Sequence, residues 1–530
     1  MRAIDIVVLV AYFGAMSFMG VYFTRKSGTT EGYFVGNRSY PGWLIGISLF
    51  GATISSITFV AYPADAFRTS YLRLLLCFML PVGVLIASRF FVPFFRRGKI
   101  TSAFQYLEAR YGPKTRVYAA SVFIVAQCLR ISMIQFLVAM LLHEMTGMSV
   151  MACILVGGAI TAFYTVRGGI EAVIWTDFVQ SIILTGGGLL ILGVILYRLP
   201  GGLGQVLSMG AADHKFMFGD LDPAENVLRP APLGFSLSEK TVVMMLLVGL
   251  FQWLAEYSSN QEVVQKYCAA RTAQDARRAM WICCLFCVPT WAYFMFLGTC
   301  LYVFYKVFPD AQAQAMLSGV IKAEGILPHF VATELPAGLS GIVAAAVLAA
   351  AMSSMSSAMN SISAVSITDI YRRHIAPDRD DRHYVRAAKA VTLASALIMI
   401  GGAAALARSG SRTLQDMSTE FAAILGGGLL GLYMLGFFTT RGDGRAVGAG
   451  IALAVAFSAL ISFAGLGWLP ERVTRFLDAH FETYYTGVVG NVLMFLTGYA
   501  IAALLPRSRA TRERDLTNLT VYTQSSAPLD

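Results

Sequence analysis

Only 14% of the 530 residues are charged, against about 25% in soluble domains, while 56% are hydrophobic and the mean hydropathy is +0.63. These values exclude a soluble globular chain and indicate a many-helix membrane protein. The net charge of +10 does not point to nucleic acid, because the basic residues fall between apolar segments, where they read as topology signals.

Apolar stretches near 4–23, 42–66, 71–94, 117–143, 148–165, 169–196, 237–257, 278–306, 334–370, 388–408, 416–438, 445–465 and 482–505 each suffice to cross a hydrocarbon core of about 30 Å. The first has little basic n-region and no small-residue cleavage site, so it reads as a retained span rather than a signal peptide. Thirteen spans put the two ends of the chain on opposite faces. Connections after odd-numbered spans carry the basic residues, among them Arg25, Lys26, Arg96, Lys99, Arg110, Arg116, Lys266, Arg372, Arg441, Arg507 and Arg509. The excess of Lys and Arg in short cytoplasmic loops then predicts an outside N-terminus and a cytoplasmic C-terminus.

Two blocks of five spans, 42–196 and 237–438, are separated by an external connection at 197–236 and flanked by 1–41 and by two peripheral spans in 439–506. An odd number of spans makes successive blocks enter the membrane from opposite sides, the geometry of an inverted repeat. The connection holds Pro200, Pro223, Pro230 and Pro232 and reads as a partly ordered cap. Residues 507–530 are polar, lack periodicity and read as a mobile cytoplasmic tail.

In the second span, FGATISSITF places Gly51, Ile54, Ser55, Ser56 and Thr58 near the middle. Glycine and hydroxyl residues there either break the helix and turn carbonyls toward a ligand, or let two helices pack closely. Arg130, deep in the fourth span, offers a planar fork for a carboxylate with Ser55 and Thr58 facing it, or serves an internal salt bridge. Arg73 enters the third span, where it serves the same anion or marks the interface. Asp177 lies inside the sixth span, where a carboxylate must meet a cation, stay protonated or bond across the two blocks. Glu256, ending the seventh span beside Tyr257, Ser258, Ser259, Asn260 and Gln261, closes a cavity or is a wet helix end.

The ninth span is the most specific. AAAMSSMSSAMNSISAV lets one helical face present Ala350, Ser353 and Ser357, flanked by Ser354 and Ser356. Hydroxyl and carbonyl oxygens are hard ligands suited to Na+, and the segment has no histidine or cysteine to favour a transition metal. The eight cysteines have no neighbouring histidine set, which argues against a metal centre or disulfide framework. Neither a phosphate-binding loop nor a catalytic triad is present in a suitable context, so ATP-driven pumping and an enzyme lose ground to a carrier, with a membrane sensor as the rival class.

The ordered motifs YFVGNRSYPGW, ISSITF, ITSAFQYLEARYG, RGGIEAVIWTDFVQ, SSNQEVVQKY and AAAMSSMSSAMNSISAVSITDIY resemble those of the sodium:solute symporter family over residues 4–505. The resemblance implies an all-α multispan fold, a LeuT-like core of two inverted five-helix repeats with peripheral helices. It also implies Na+-driven import of a small organic solute across a bacterial cytoplasmic membrane, with no obligatory protein partner. Its common sodium cage falls on Gly51, Ile54, Ala350, Ser353 and Ser354, and a further sodium site of the sialic acid branch falls on Asp177, Ser353, Ser356 and Ser357. The branch's substrate residues fall on Ser55, Thr58 and Arg130, while Cys77 stands where that branch has a glutamine and Arg73 where it has an aromatic. Sialic acid or a related acidic sugar is the solute so implied, with a monocarboxylate or a neutral sugar as alternatives.

Overall fold

The computed structural model describes residues 3–23, 28–97, 101–222, 227–409, 427–504 and 515–523. The topology markers Arg25, Lys26, Lys99, Arg507 and Arg509 fall outside them. The described chain is helical apart from one short hairpin. In chain order the elements used below are α1 (Ala3–Tyr22), α2 (Gly42–Thr53), α3 (Ser56–Arg68), α4 (Leu74–Arg96), α5 (Phe104–Tyr111), α6 (Pro113–Thr146), α7 (Val150–Arg198) and α8 (Gly202–Ala212). The hairpin, β1 (Gly219–Asp222) with β2 (Val227–Pro230), follows. The second half contains α9 (Val242–Ser258), α10 (Gln261–Cys268), α11 (Ala273–Val307), α12 (Leu339–Val365), α13 (Asp381–Ser409), α14 (Leu429–Phe438), α15 (Gly444–Gly465) and α16 (Thr486–Leu504).

By length and hydropathy, nine described helices can cross a membrane, or eleven when two bent pairs are each taken as one span. The sequence expectation was thirteen. Part of the difference is α7, whose 49 residues would run about 74 Å as a straight rod, more than twice the hydrocarbon core. The chain turns inside it at Gly169 (φ 58°), where an added Cβ would meet the Tyr33 ring at 2.8 Å. Glycine is what allows two spans to join there without a loop. The expected span at 416–438 is described only from residue 427 onward.

Both bent pairs open a five-span block. The α2–α3 pair bends by 57° and α9–α10 by 53°. A break at the same place in two oppositely oriented blocks is the expected mark of an inverted repeat with its site at the midplane. The second break was not anticipated, because α10 is polar and hydropathy ends the seventh span before it.

At the centre lies α12, in which every residue from Val343 to Val365 is buried. A helix apolar or small on all sides belongs inside the bundle. Its alanines let α7 approach so closely that a Cβ on Gly187 would sit 2.3 Å from that of Ala346.

Several basic residues that mark topology in the sequence prove to be buried structural groups. Arg96 donates to the carbonyls of Cys268 (3.1 Å), Ala270 (2.8 Å) and Arg271 (3.1 Å), satisfying the otherwise open end of α10. Arg110 donates to the carbonyls of Thr439, Arg441 and Gly442. Arg116 joins Asp369 (2.6 Å) and Glu108 (2.5 Å), tying α5, α6 and the segment after α12 together. Lys266 is treated below.

The tail also departs from expectation. Residues 515–523 pack rather than float: Tyr106 donates to the Leu519 carbonyl (2.8 Å), the Val521 amide donates to the Phe437 carbonyl (2.9 Å), and Thr520 is fully buried. Two apolar side chains, one backbone–backbone bond and one hydroxyl-to-carbonyl bond suffice to dock a short segment that has no periodicity. The connection at 197–236 holds α8 and the hairpin, clasped to the end of α3 by Lys215, whose ammonium donates to the carbonyls of Ala66 (3.4 Å), Phe67 (2.8 Å) and Thr69 (3.0 Å).

Candidate functional site

The break between α2 and α3 is two residues long. Ile54 (ψ 104°) and Ser55 (ψ 177°) are extended, so the last turn of α2 ends without a continuing helix to take up all its carbonyls. A hydroxyl of α12 meets that break: Ser354 Oγ donates to the Ala52 carbonyl (2.9 Å) and approaches the Ala350 carbonyl at 3.3 Å. Gly51 faces the same point, since a Cβ there would fall 3.1 Å from Ser353 Oγ and 2.7 Å from Ser181 Oγ. Gly51, Ala350, Ser353 and Ser354 therefore converge, with Ala52 of the same FGATISSITF run beside them and Ser181 as a neighbour that the sequence reading missed.

Asp177 is fully buried beside this cluster. It accepts from Ser48 Oγ (2.6 Å), Ser353 Oγ (2.7 Å) and, more weakly, Ser357 Oγ (3.3 Å). Ser356 does not join them; its hydroxyl donates to the Ser353 carbonyl at 3.1 Å. The cation that Asp177 meets is Lys266, whose Nζ lies 2.8 Å from Oδ2 and 3.0 Å from the Ser48 carbonyl. A buried carboxylate with one ammonium and three hydroxyls has its charge matched and its lone pairs satisfied. The sequence reading missed Lys266 because a lysine just past the apolar part of a span looks like a cytoplasmic marker.

Arg130 also has a carboxylate, and it too comes from α10. Its Nη1 lies 2.9 Å from Glu262 Oε2 and 3.5 Å from Gln127 Oε1, while 34% of the side chain stays exposed. Ser55 and Thr58 are buried at the start of α3, which packs against α6. Among the described residues no hydrogen bond joins them to Arg130. Cys77 is buried against the Tyr62 hydroxyl at 3.4 Å.

Arg73 also has a carboxylate partner. It pairs with Asp65 and reaches the Tyr484 hydroxyl at 3.4 Å, on the wall of a cavity of about 460 Å³ that also exposes Lys240 and Asp220. At the α9–α10 break, Glu256 accepts from Asn260 Nδ2 (2.8 Å), and Ser258 and Ser259 donate back to their own helix. Gln261 bonds the Ala103 amide and the Thr101 carbonyl, each at 2.7 Å.

Broken helices, a hydroxyl-rich central helix and buried ion pairs form a site suited to binding polar species. The family model for the sodium:solute symporter family matches residues 33–454. The chain is 30% identical over 501 residues to the sodium/sialic acid symporter SiaT of Proteus mirabilis (strain HI4320), covering 94% of this chain and 95% of that one. It is 28% identical over 514 residues to the sodium/sialic acid symporter NanT of Aliivibrio fischeri (strain ATCC 700601 / ES114), covering 97% and 95%. Identity to sodium-coupled monocarboxylate transporter 1 of Xenopus laevis is 26% over 426 residues, covering 79% and 65%. Among solved structures, the substrate-bound outward-open state of a Na+-coupled sialic acid symporter superposes with a TM-score of 0.84 at 28% identity, covering 96% of this chain and 99% of that one. The nucleobase-cation-symport-1 transporter MHP1 in a closed conformation superposes at 0.54 with 15% identity, covering 92% and 98%, a likeness of fold alone.

Proposed function

Since this chain belongs to the sodium:solute symporter family, we propose that the solute it imports with Na+ is sialic acid or a related acidic sugar. The chain is a multi-pass, sodium-coupled secondary transporter of LeuT-like fold working by alternating access, and not an enzyme. The observation that carries the choice of solute is Arg130: a guanidinium inside a span, partly exposed and held by a single carboxylate, is built to receive an anionic group. Ser55 and Thr58 supply hydroxyls at the broken helix beside it.

Na+ takes the cage of Gly51, Ile54, Ala350, Ser353 and Ser354, where oxygen ligands at the α2–α3 break suit a hard cation. Bound there, it ties the end of α2 and the break after it to α12 and orders the neighbouring solute pocket. If Na+ raises solute affinity, solute raises Na+ affinity by the same factor. A membrane potential near 100 mV then adds roughly 2.3 kcal/mol per inward charge. The chain works in a bacterial cytoplasmic membrane, N-terminus outside and C-terminus inside, without an obligatory protein partner.

A monocarboxylate is the second reading, favoured by Cys77, which is engaged with Tyr62 and offers a sugar little. Reconstituted protein in proteoliposomes, with and without an inward Na+ gradient, decides between them. Accumulation of radiolabelled sialic acid only with the gradient supports the proposal. Gradient-driven uptake of a simple monocarboxylate, glucose or proline instead would replace the solute and keep the mechanism.

A further inference from the structure

Helix α10 is eight residues long and every one of them is buried, although half are polar. Each polar side chain bonds a different part of the molecule. Gln261 holds the segment before α5, Gln265 holds the Phe34 carbonyl (2.6 Å) and Asn360 Oδ1 (2.8 Å), Glu262 holds Arg130 and Lys266 holds Asp177. Glu262 and Lys266 stand four residues apart and so share one face, yet each bonds a separate span rather than the other.

The two partners bear on the two transported species. Arg130 is the proposed receiver of a solute carboxylate, and Asp177 is the carboxylate on which the family resemblance places a further Na+. Glu262 presents to Arg130 what the solute would present, a carboxylate. Lys266 presents to Asp177 what Na+ would present, a unit cation. We propose that α10 is an internal ion-exchange element: Na+ arriving at Asp177 displaces the Lys266 ammonium, and the same helix movement withdraws Glu262 from Arg130 and opens it to the solute.

The physics supports linked rather than independent exchange. Two cations cannot share one buried carboxylate without strong mutual repulsion, because little water screens them. Glu262 and Lys266 are fixed one turn apart on α10, so a shift of that helix withdraws both side chains from their partners together. Each species then binds more tightly once the other has moved the helix, which is a coupling free energy between two sites through a two-position element. The break at Ser259 and Asn260 is the hinge on which α10 moves.

This inference rests on the acidic-solute reading, and one experiment separates the two. Sialic acid binding to the purified full-length protein is measured by calorimetry in Na+-free choline buffer and at saturating Na+. The wild type should bind at least about tenfold more tightly with Na+. Glu262→Gln should bind sialic acid about tenfold more tightly than wild type in choline, and gain correspondingly less from Na+. Lys266→Gln should lower the Na+ concentration giving half-maximal sialic acid binding several-fold, and tests the same helix if the first variant does not fold. Wild-type coupling with neither effect in the variants overturns the exchange and leaves the solute intact. No sialic acid binding by the wild type under either condition overturns the solute reading and the exchange with it.

Discussion

Lys266 Nζ lies 2.8 Å from Asp177 Oδ2, with both side chains sealed from solvent and contributed by different five-span blocks. The pair fastens α10 to α7 at the level where Ser353 of α12 reaches the same carboxylate. Losing one partner leaves the other buried and unmatched, which costs about 3–5 kcal/mol. Asp177→Asn should therefore destabilise the detergent-purified protein by that order, and adding Lys266→Gln should restore most of it. Thermal unfolding of the single and double variants measures this; a double variant no more stable than the single one would refute the pairing as the source of the loss.

The contact of Ser354 with the carbonyls of Ala52 and Ala350 puts its oxygen at the end of the broken helix. Ser354→Ala should raise the Na+ concentration for half-maximal uptake about tenfold, the worth of one contact to a charge. Ser353→Ala should act in the same direction, because its hydroxyl lies against Gly51. Uptake assayed across a Na+ series tests both, and wild-type Na+ activation in the two variants would remove the cage.

Lys215 joins the 197–236 connection to the end of α3, and burial pulls its amine down from 10.5 to about 7, against the opposing pull of Asp213. The groups facing it are Asp213 on its own segment and, on α11, Tyr302, whose ring lies 4.1 Å from Nζ, with Lys306 beyond. Between about 7 and the unfolded value near 10.5, the folded chain binds fewer protons than the unfolded one, so this group's contribution to stability rises with pH there and is flat below 7. Melting temperatures taken from pH 6 to pH 9 should accordingly rise for wild type relative to Lys215→Met. Parallel pH profiles for the two proteins would contradict the assignment.

The docked stretch at 515–523 covers Tyr106 and Phe437 with Leu519 and Val521. Replacing both apolar residues with Asp should release it and cost about 1–3 kcal/mol of burial. Limited proteolysis reads this directly: the wild-type stretch should resist cleavage and the double variant should be cut there. Equal cleavage would mean that the contacts do not hold the segment.

Much of the site could be read from single stretches of sequence. The second span stands out because glycine and hydroxyl residues interrupt an apolar run, although by sequence they fit a close helix contact as well as a break. Asp177 and the serines of α12 stand out because polar atoms inside a bilayer must find partners. The partners themselves are not visible. Glu262 and Lys266 sit in a short polar helix that hydropathy assigns to a loop, and Arg96 and Arg116 look like any loop arginine until the carbonyls and carboxylates they serve are brought beside them. Arg73 is a further case, a residue read from the chain as a solute or interface group whose partner, Asp65, the sequence did not name.

By itself, the sequence determined the class of the protein and the hydroxyl-rich α12, with the inverted five-span blocks as an expectation and a break in the second helix as one of two readings. Those follow from transfer energies and helix periodicity, which act residue by residue. Only the tertiary structure decided which charge neutralises which. Ion pairs such as Lys266 with Asp177 and Glu262 with Arg130 join residues about ninety to a hundred and thirty positions apart, and electrostatic energy depends on distance in space, which the order of the chain does not state.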